Sequence, residues 1–519
     1  MEEELPPDDI KGVSIAIALG GFGQHWRHHS NANGQAVATE YYDNFLSHDW
    51  KTSGLLKYLS LLILFNAKAA AIASILISFL VGVLRMMAVL PNLVWTELPC
   101  YAFFYVVLVF WQNLLAWVRS PRMVFLDKLC IPQDDEEKKA QCIRGLACYL
   151  DRARTLTVLW SDRYFSRLWC VFEIATFLRH RSKPSIQFLP VELSLLAFLG
   201  GLAYSVVYLI HGLWANVQNQ NDEGPTDGLR RLAGLSGLLM TVLYITVTCY
   251  NYLGLQLMNK FRLLPKQLHS FDARKAECLC CSVGHVDPRT GAPIPCDRKL
   301  IMTKIERWYA VSGNTDATDV DPDSCITEFN NLVRKELADT FLAMTAFANP
   351  VFWKYIYFIV GMNMPILAGT LGNMSAELLP SSLGGRALLA WRVRWVVRLF
   401  HNILQIVGCV EILMIAWGVG AVWLRDRNLA VASLILSTPI TIIAFAMLFV
   451  PFRLCWLLTA DDSLLISAPV LVELCFVVAC SRARGFVVSS WQLFLRLVAG
   501  ATHVATAFSA CVVCPLRSG

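Results

Sequence analysis

Charge is what this sequence has least of. Only 16% of its 519 residues are Asp, Glu, Lys or Arg, 56% are hydrophobic, and mean hydropathy is +0.49. A soluble protein carries about a quarter charged residues, so the composition is that of a membrane protein. No basic segment precedes the first apolar stretch. Residues 1–12 read MEEELPPDDIKG, acidic and broken by proline, and 13–19 is too short to span, so no cleaved signal peptide is expected. The 17 cysteines lack the dense, even spacing of a small secreted domain and are read as mostly reduced. A net charge of +6 without a concentrated basic tract gives no footing for a nucleic-acid partner and suits a membrane-facing surface. Internal repeats and low-complexity tracts are also missing.

Long apolar runs, by contrast, recur along the whole chain. Stretches of roughly 20 residues suffice to cross a bilayer, and nine are expected: 69–90, 99–118, 193–214, 232–255, 351–371, 403–424, 429–450, 464–480 and 486–513. The connections 91–99 and 214–228 contain no Lys or Arg, whereas 119–183 and 258–349 are rich in both. The positive-inside rule therefore puts the two larger segments in the cytoplasm. Arg386, Arg392, Arg394 and Arg398 break simple alternation, and a re-entrant or interfacial helix there would restore it. The expectation is an integral, multi-pass protein with the lipid bilayer as its first partner; which membrane holds it stays open.

On either side of the first two spans lies a strand and helix alternation. Tyr42–His48 (YDNFLSH) reads as a buried strand, as do 123–127 (MVFLD), 155–160 (TLTVLW) and 185–190. Helices are expected over 136–149, with Cys142, Leu146 and Leu150 on one face, and over the run SDRYFSRLWCVFEIATFLRH, with Trp169, Phe172 and Thr176 facing inward. This alternation predicts a small parallel sheet covered by helices.

FLSHDW, then VFLDK, then VLWSDRYFSRLWCVFE resembles the order of first strand, second strand and loop, third strand and following helix in TIR (Toll/interleukin-1 receptor-like) domains. Ser166, Trp169, Cys170 and Glu173 are similar to the S-x-x-W-C-x-x-E of plant-type TIR domains, and the interrupted arrangement resembles TIR-like multi-pass membrane proteins of algae and other protists. The match covers 41–50 and 122–191. It implies a flavodoxin-like fold, homotypic self-association and, in active members, cleavage of NAD. By that resemblance Glu173 is the catalytic acid, Ser47, His48, Asp49, Asp127 and Lys128 hold the nucleotide, Trp169 walls the pocket, and the loop 128–133 closes over it. The alternative is that Glu173 is a solvated helix residue while Trp169 and Cys170 pack the core. Two departures weigh on activity. A two-span insert stands in place of the first TIR helix, and the chain enters the membrane near Leu193 before a fifth strand can form. The sheet must then be completed by the first forty residues, by 258–349, or by another copy.

A second constellation is Cys278, Cys281, His285 and Cys296, with Cys280 as a competing ligand. Three thiolates and an imidazole satisfy tetrahedral, structural zinc; unligated thiols in a cysteine-rich loop are the other reading. Helices are expected from Asp297 through Tyr309, with Ile301, Ile305 and Trp308 on one face, and over 326–347, with Phe329, Val333, Leu337 and Phe341 aligned. Glu411 and Glu473 inside expected spans, with His211, His401 and His503 near uncertain ends, raise transport as a rival function.

The fold class expected is an α-helical multi-pass bundle plus a small α/β cytosolic domain interrupted by a membrane hairpin. Its parts are a 1–40 cytosolic segment, a TIR-like domain at 41–50 and 122–191, an inserted hairpin at 51–121, a second hairpin at 192–257, a Cys/His-containing helical segment at 258–349, and a multi-span region at 350–519. The function expected is membrane-embedded TIR-like signalling through self-association, with NAD nucleosidase activity through Glu173 left open. The alternative is a channel or transporter gated by the TIR-like domain.

Overall fold

The computed structural model describes residues 5–26, 34–91, 94–179, 185–219, 225–286, 291–309, 322–343, 350–376, 408, 412–424 and 427–458. It contains two compact units. One comprises Met1–Phe65, Val109–Leu195 and Lys260–Met344; the other comprises Asn66–Leu108, Leu196–Asn259 and Thr345–Gly519.

The first unit is built on six strands: β1 Lys11–Ser14, β2 Val37–Ala38, β3 Tyr42–His48, β4 Met123–Phe125, β5 Ala153–Trp160 and β6 Ile186–Pro190. Their order is β2-β1-β4-β3-β5-β6. Strands β4, β3, β5 and β6 run parallel, while β1 is antiparallel to both β4 and β2. The sheet is therefore mixed rather than wholly parallel, and the first forty residues are what extend it. β1 lies close to β3's first side chain. A Cβ on Gly12 would come within 2.9 Å of the Tyr42 ring, and the Tyr42 hydroxyl donates to the Lys11 carbonyl at 2.8 Å.

Within the parallel block the strands lie in the order second, first, third, fourth, so chain connections diverge between β3 and β5. Ligands in open α/β sheets collect at the carboxyl ends of strands around such a switch. The core beneath it is aromatic: Phe45 stacks on Phe125 at 4.5 Å and Tyr149 closes on Phe125 at 4.7 Å. The Leu168–Leu178 helix buries Leu168, Val171, Phe172, Ile174, Ala175 and Phe177. The single helix expected over 136–149 is two, Glu136–Arg144 and Leu146–Asp151. They part at Gly145, where the Leu5 side chain lies 2.5 Å from where a Cβ would stand.

A third covering layer comes from 260–343. Ile301, Ile305 and Tyr309 of the Asp297–Tyr309 helix are buried, as are Phe329 and Val333 of the Pro322–Ala343 helix. The Tyr309 hydroxyl donates to the Ala175 carbonyl at 3.2 Å, and the Trp308 ring lies 5.4 Å from Phe172. The expected contributions of Leu337 and Phe341 lie outside the described side chains.

The first long helix, Gly54–Met86, starts well before residue 69. Its opening turns through Phe65 belong to the sheet-bearing unit, with Tyr58, Leu61, Leu62, Ile63 and Leu64 buried. Gly54 permits this start: the Trp26 carbonyl oxygen lies 2.7 Å from its Cβ position, too near for any side chain. Thus the place expected to be occupied wholly by an insert instead holds a packed helix that runs on as a stretch long and apolar enough to cross a membrane.

Five helices are long and apolar enough to cross a membrane: Gly54–Met86, Leu98–Ala116, Val191–Ile210, Gly237–Phe261 and Trp353–Gly372. Ile412–Trp423 and Leu429–Ile443 are shorter apolar helices in the region of the sixth and seventh expected spans. The expected spans 464–480 and 486–513 lie outside the described residues, as do Arg386, Arg392, Arg394, Arg398, Glu411, Glu473, His401 and His503; the His211 side chain is likewise not described. The second unit is tied by buried polar contacts. Asn251 accepts from the Trp417 indole at 2.8 Å and donates to Ser437 at 3.0 Å, and Arg85 pairs with Glu97 at 2.7 Å.

Candidate functional site

The carboxyl end of β3 delivers Ser47, His48 and Asp49, all buried. Alternation along the strand sends Ser47 and His48 to opposite faces. Ser47 donates through a short hydrogen bond to the Glu173 carboxylate, and its oxygen meets the Tyr164 hydroxyl at 2.5 Å. When Glu173 is ionised, serine gives its one proton to the carboxylate and Tyr164 donates to Ser47, making a relay Tyr164 to Ser47 to Glu173. Burial pushes the Glu173 carboxyl up to about 8; the Ser47 bond opposes this and the nearby Asp127 charge adds to it. At neutral pH the group is therefore largely a neutral acid.

On the other face, the His48 ring donates from Nδ1 to the Leu46 carbonyl at 3.3 Å and packs edge-on against Trp26 at 5.3 Å. Burial holds its pKa well below the ordinary value, so it is neutral, with Nε2 left as an acceptor. Asp49 is only 1% exposed and pairs with Arg167 at 3.4 Å. Asp127 follows β4, accepts the Lys128 backbone N–H at 2.8 Å, and is pushed up to about 6 by burial against the hydrogen bonds it receives from Lys128 and the Trp50 indole. Lys128 lies over the Trp50 ring at 5.2 Å.

Of the residues expected from the sequence, Ser47 and Glu173 are in direct contact, and Asp127 is close enough to act on Glu173's charge. Trp169 is committed elsewhere: its indole donates to Asp297 at 3.2 Å and its ring sits edge-on to Phe172. Sequence reasoning missed Tyr164, Arg167, Trp26 and Lys57. Lys57, 2% exposed on the Gly54–Met86 helix, lies 6.0 Å from the centre of the Trp26 ring. Tyr164 and Arg167 stand in the same quoted motif as Glu173, so their proximity was readable; Trp26 comes from a segment with no pattern of its own.

A separate Cys/His cluster in this unit could hold a metal ion. The ligand atoms of Cys280, Cys281, His285 and Cys296 all lie within 4.8 Å of one another, and Cys278 groups instead with Cys280 and Asp297. The expected set is thus altered by one member, Cys280 replacing Cys278. Burial pushes the Cys278 thiol up to about 12. Desolvation acts the same way on Cys280 but is outweighed by hydrogen bonds from Cys278 and from the Asp297 and Arg298 backbone N–H groups, so its pKa is lowered.

No protein-family model, curated protein or solved structure matches the chain.

Proposed function

We propose that this chain is a multi-pass membrane protein whose cytosolic module is TIR-like and flavodoxin-type, signals by self-association, and cleaves NAD through Glu173 once assembled. The observation that carries this reading is the contact between Glu173 and Ser47 at the carboxyl end of the central parallel strand. A carboxylate there would stabilise the positive charge that develops on the ribose as the bond to nicotinamide breaks. Nicotinamide leaves with the bonding pair, water adds to the ribose, and a proton is released. The acid must first ionise, and the raised pKa of Glu173 keeps an isolated module latent. Self-association that brings a cation or further hydrogen-bond donors to the site would lower that pKa and switch it on. Zinc in a structural role is the metal proposed for the Cys/His cluster. The Lys- and Arg-rich segments support a cytoplasmic position for the module.

The test is nicotinamide release by the full-length protein crowded on liposomes, against Glu173→Gln at equal density. The reading expects a loss of about 100-fold or more in the variant, the scale of removing one electrostatic group from an active site. If neither protein consumes NAD, catalysis is refuted and the module is an interaction domain alone.

A second reading, transport, is favoured by one feature: Arg85 and Glu97, 3% and 5% exposed at their side chains, form an ion pair inside the helical unit. Buried ion pairs beside apolar helices can mark solute or proton paths.

A further inference from the structure

We propose that Cys280, Cys281, His285 and Cys296 bind one Zn2+ and that this metal clasps the 277–297 segment onto the start of the Leu168–Leu178 helix. The inference is independent of NAD chemistry.

Four observations converge on the site. Zinc–sulfur bonds of about 2.3 Å in a tetrahedron set sulfur atoms about 3.8 Å apart. The Cys280–Cys281 and Cys281–Cys296 separations are 3.9 and 4.0 Å. Cys278 and Cys280, at 3.0 Å, are too close to serve as two thiolates of one zinc, which assigns Cys278 to the surroundings as a hydrogen-bonding neighbour. The backbone is bent to bring the histidine in. Gly284 and His285 both have left-handed φ values, +66° and +61°, and for histidine that conformation is disfavoured by about 1–2 kcal/mol. It is held by the His285 N–H donating to the Cys280 carbonyl at 2.8 Å and by the Ile294 N–H donating to the His285 carbonyl at 2.8 Å.

The imidazole itself supplies the third observation: its Nδ1 is buried and has no hydrogen-bond partner among the described residues, an expensive state that a metal bond would relieve. The fourth is the grouping itself: the ligand atoms of Cys280, Cys281, His285 and Cys296 all lie within 4.8 Å of one another. Three thiolates and one imidazole in a closed four-coordinate set select zinc over oxygen-seeking ions. Each ligand thiol releases its proton to solvent as the metal binds.

The residues just outside the ligands do the clasping. Glu277 exchanges backbone bonds with the helix start: its N–H donates to the Ser166 carbonyl at 2.5 Å and its carbonyl accepts from Leu168 at 3.0 Å. At the other end Asp297 receives the Trp169 indole. Arg167, held between these two attachments, is the residue that pairs with Asp49. A metal that fixes 278–296 therefore fixes the turn from which the Glu173-bearing helix begins.

Full-length protein purified in detergent without chelator, dialysed against Zn2+ and then against metal-free buffer, should retain one zinc per chain. Exchange into Co2+ should give the intense absorption of a tetrahedral, thiolate-rich site, a result that needs no variant. Cys281→Ser, Cys296→Ser and His285→Ala should each lose most of the metal, while Cys278→Ser keeps it. Wild-type protein that holds no zinc or cobalt overturns the proposal, and so does metal kept by Cys280→Ser but lost by Cys278→Ser. Removing the metal with a chelator should raise amide exchange at 163–170 as well as at 277–297. Unchanged protection at 163–170 would refute the clasp.

Discussion

Two of the carboxylates withdrawn from bulk water in this molecule, one in each unit, are held by opposite means. Glu97 is set against a permanent cation, the guanidinium of Arg85, at 2.7 Å. Glu173 is set against a hydroxyl, Ser47, which is in turn backed by the Tyr164 hydroxyl. An ion pair in a dry place makes its members mutually dependent, because loss of one strands the other as an uncompensated charge. A neutral hydroxyl imposes no such requirement, and the carboxyl is free to carry its proton or lose it. The first arrangement fixes a state; the second leaves a choice, which is what a switchable acid needs.

The largest effect should come from breaking the fixed pair. Arg85→Met alone should destabilise the detergent-solubilised protein by about 3–5 kcal/mol, the usual consequence of halving a buried pair. Arg85→Met combined with Glu97→Leu should recover most of that loss. Thermal retention of the monodisperse peak reads both. Equal stability of the single variant and wild type would show that the pair is hydrated, as on a transport path, and flux assays on Glu97→Gln would then become decisive.

How legible these features were differs by the kind of information each needed. The strand Tyr42–His48 is found where its apolar run ends in Ser and His, and β5 and β6 lie close to their expected places, because buried parallel strands announce themselves by continuous β-branched and aromatic residues. β1 was hidden: VSIAIAL is an apolar run that suits strand or helix equally, and it turns out to be a short strand followed by one helical turn, Ile15–Ala18. The start of the first long helix was set too late because Lys57, Ser60, Asn66 and Lys68 dilute its hydropathy, although the first three are buried in the fold. Of the site, Glu173 and Ser47 were reachable through the motif. Cys280 stood in the sequence as a competing ligand, but the choice between it and Cys278 depends on a left-handed turn at Gly284 and His285 that ligand spacing does not encode.

A pH series sharpens the contrast from the other side. Glu173 has an ordinary value of 4.5 and is raised to about 8 in the fold, so the folded state holds more protons than the unfolded one between those limits. Its contribution to stability is full below about 4.5 and is lost as pH rises through 8. Asp127, raised to about 6, acts with the same sign at lower pH, whereas the buried His48 and His25, with lowered values, act oppositely below about 6.5. Glu173 is set apart from these groups between pH 6.5 and 8, with the buried Lys57, lowered to about 8, acting oppositely at the upper end. Melting temperature should fall across this window in the wild type and stay flatter in Glu173→Gln, and NAD cleavage should rise over the same range. Parallel slopes for the two proteins would mean that Glu173 is already ionised.

The smallest effect concerns the seam between the Glu173-bearing helix and the cysteine loop. Trp169→Phe keeps a ring against Phe172 but removes the indole N–H that reaches Asp297. Losing one such bond to a carboxylate at a half-buried position should cost about 1–2 kcal/mol. Burial pushes the Asp297 carboxyl up and the indole bond pulls it down, so the variant's Asp297 should titrate higher than the wild type's. Neither change touches the Ser47–Glu173 contact. Trp169→Phe should therefore leave the pH 6.5 to 8 melting slope as in wild type while loosening amide protection near 297. A variant that instead flattened the slope would mean that Trp169 supports Glu173 directly, and the pocket wall expected from the sequence would be restored.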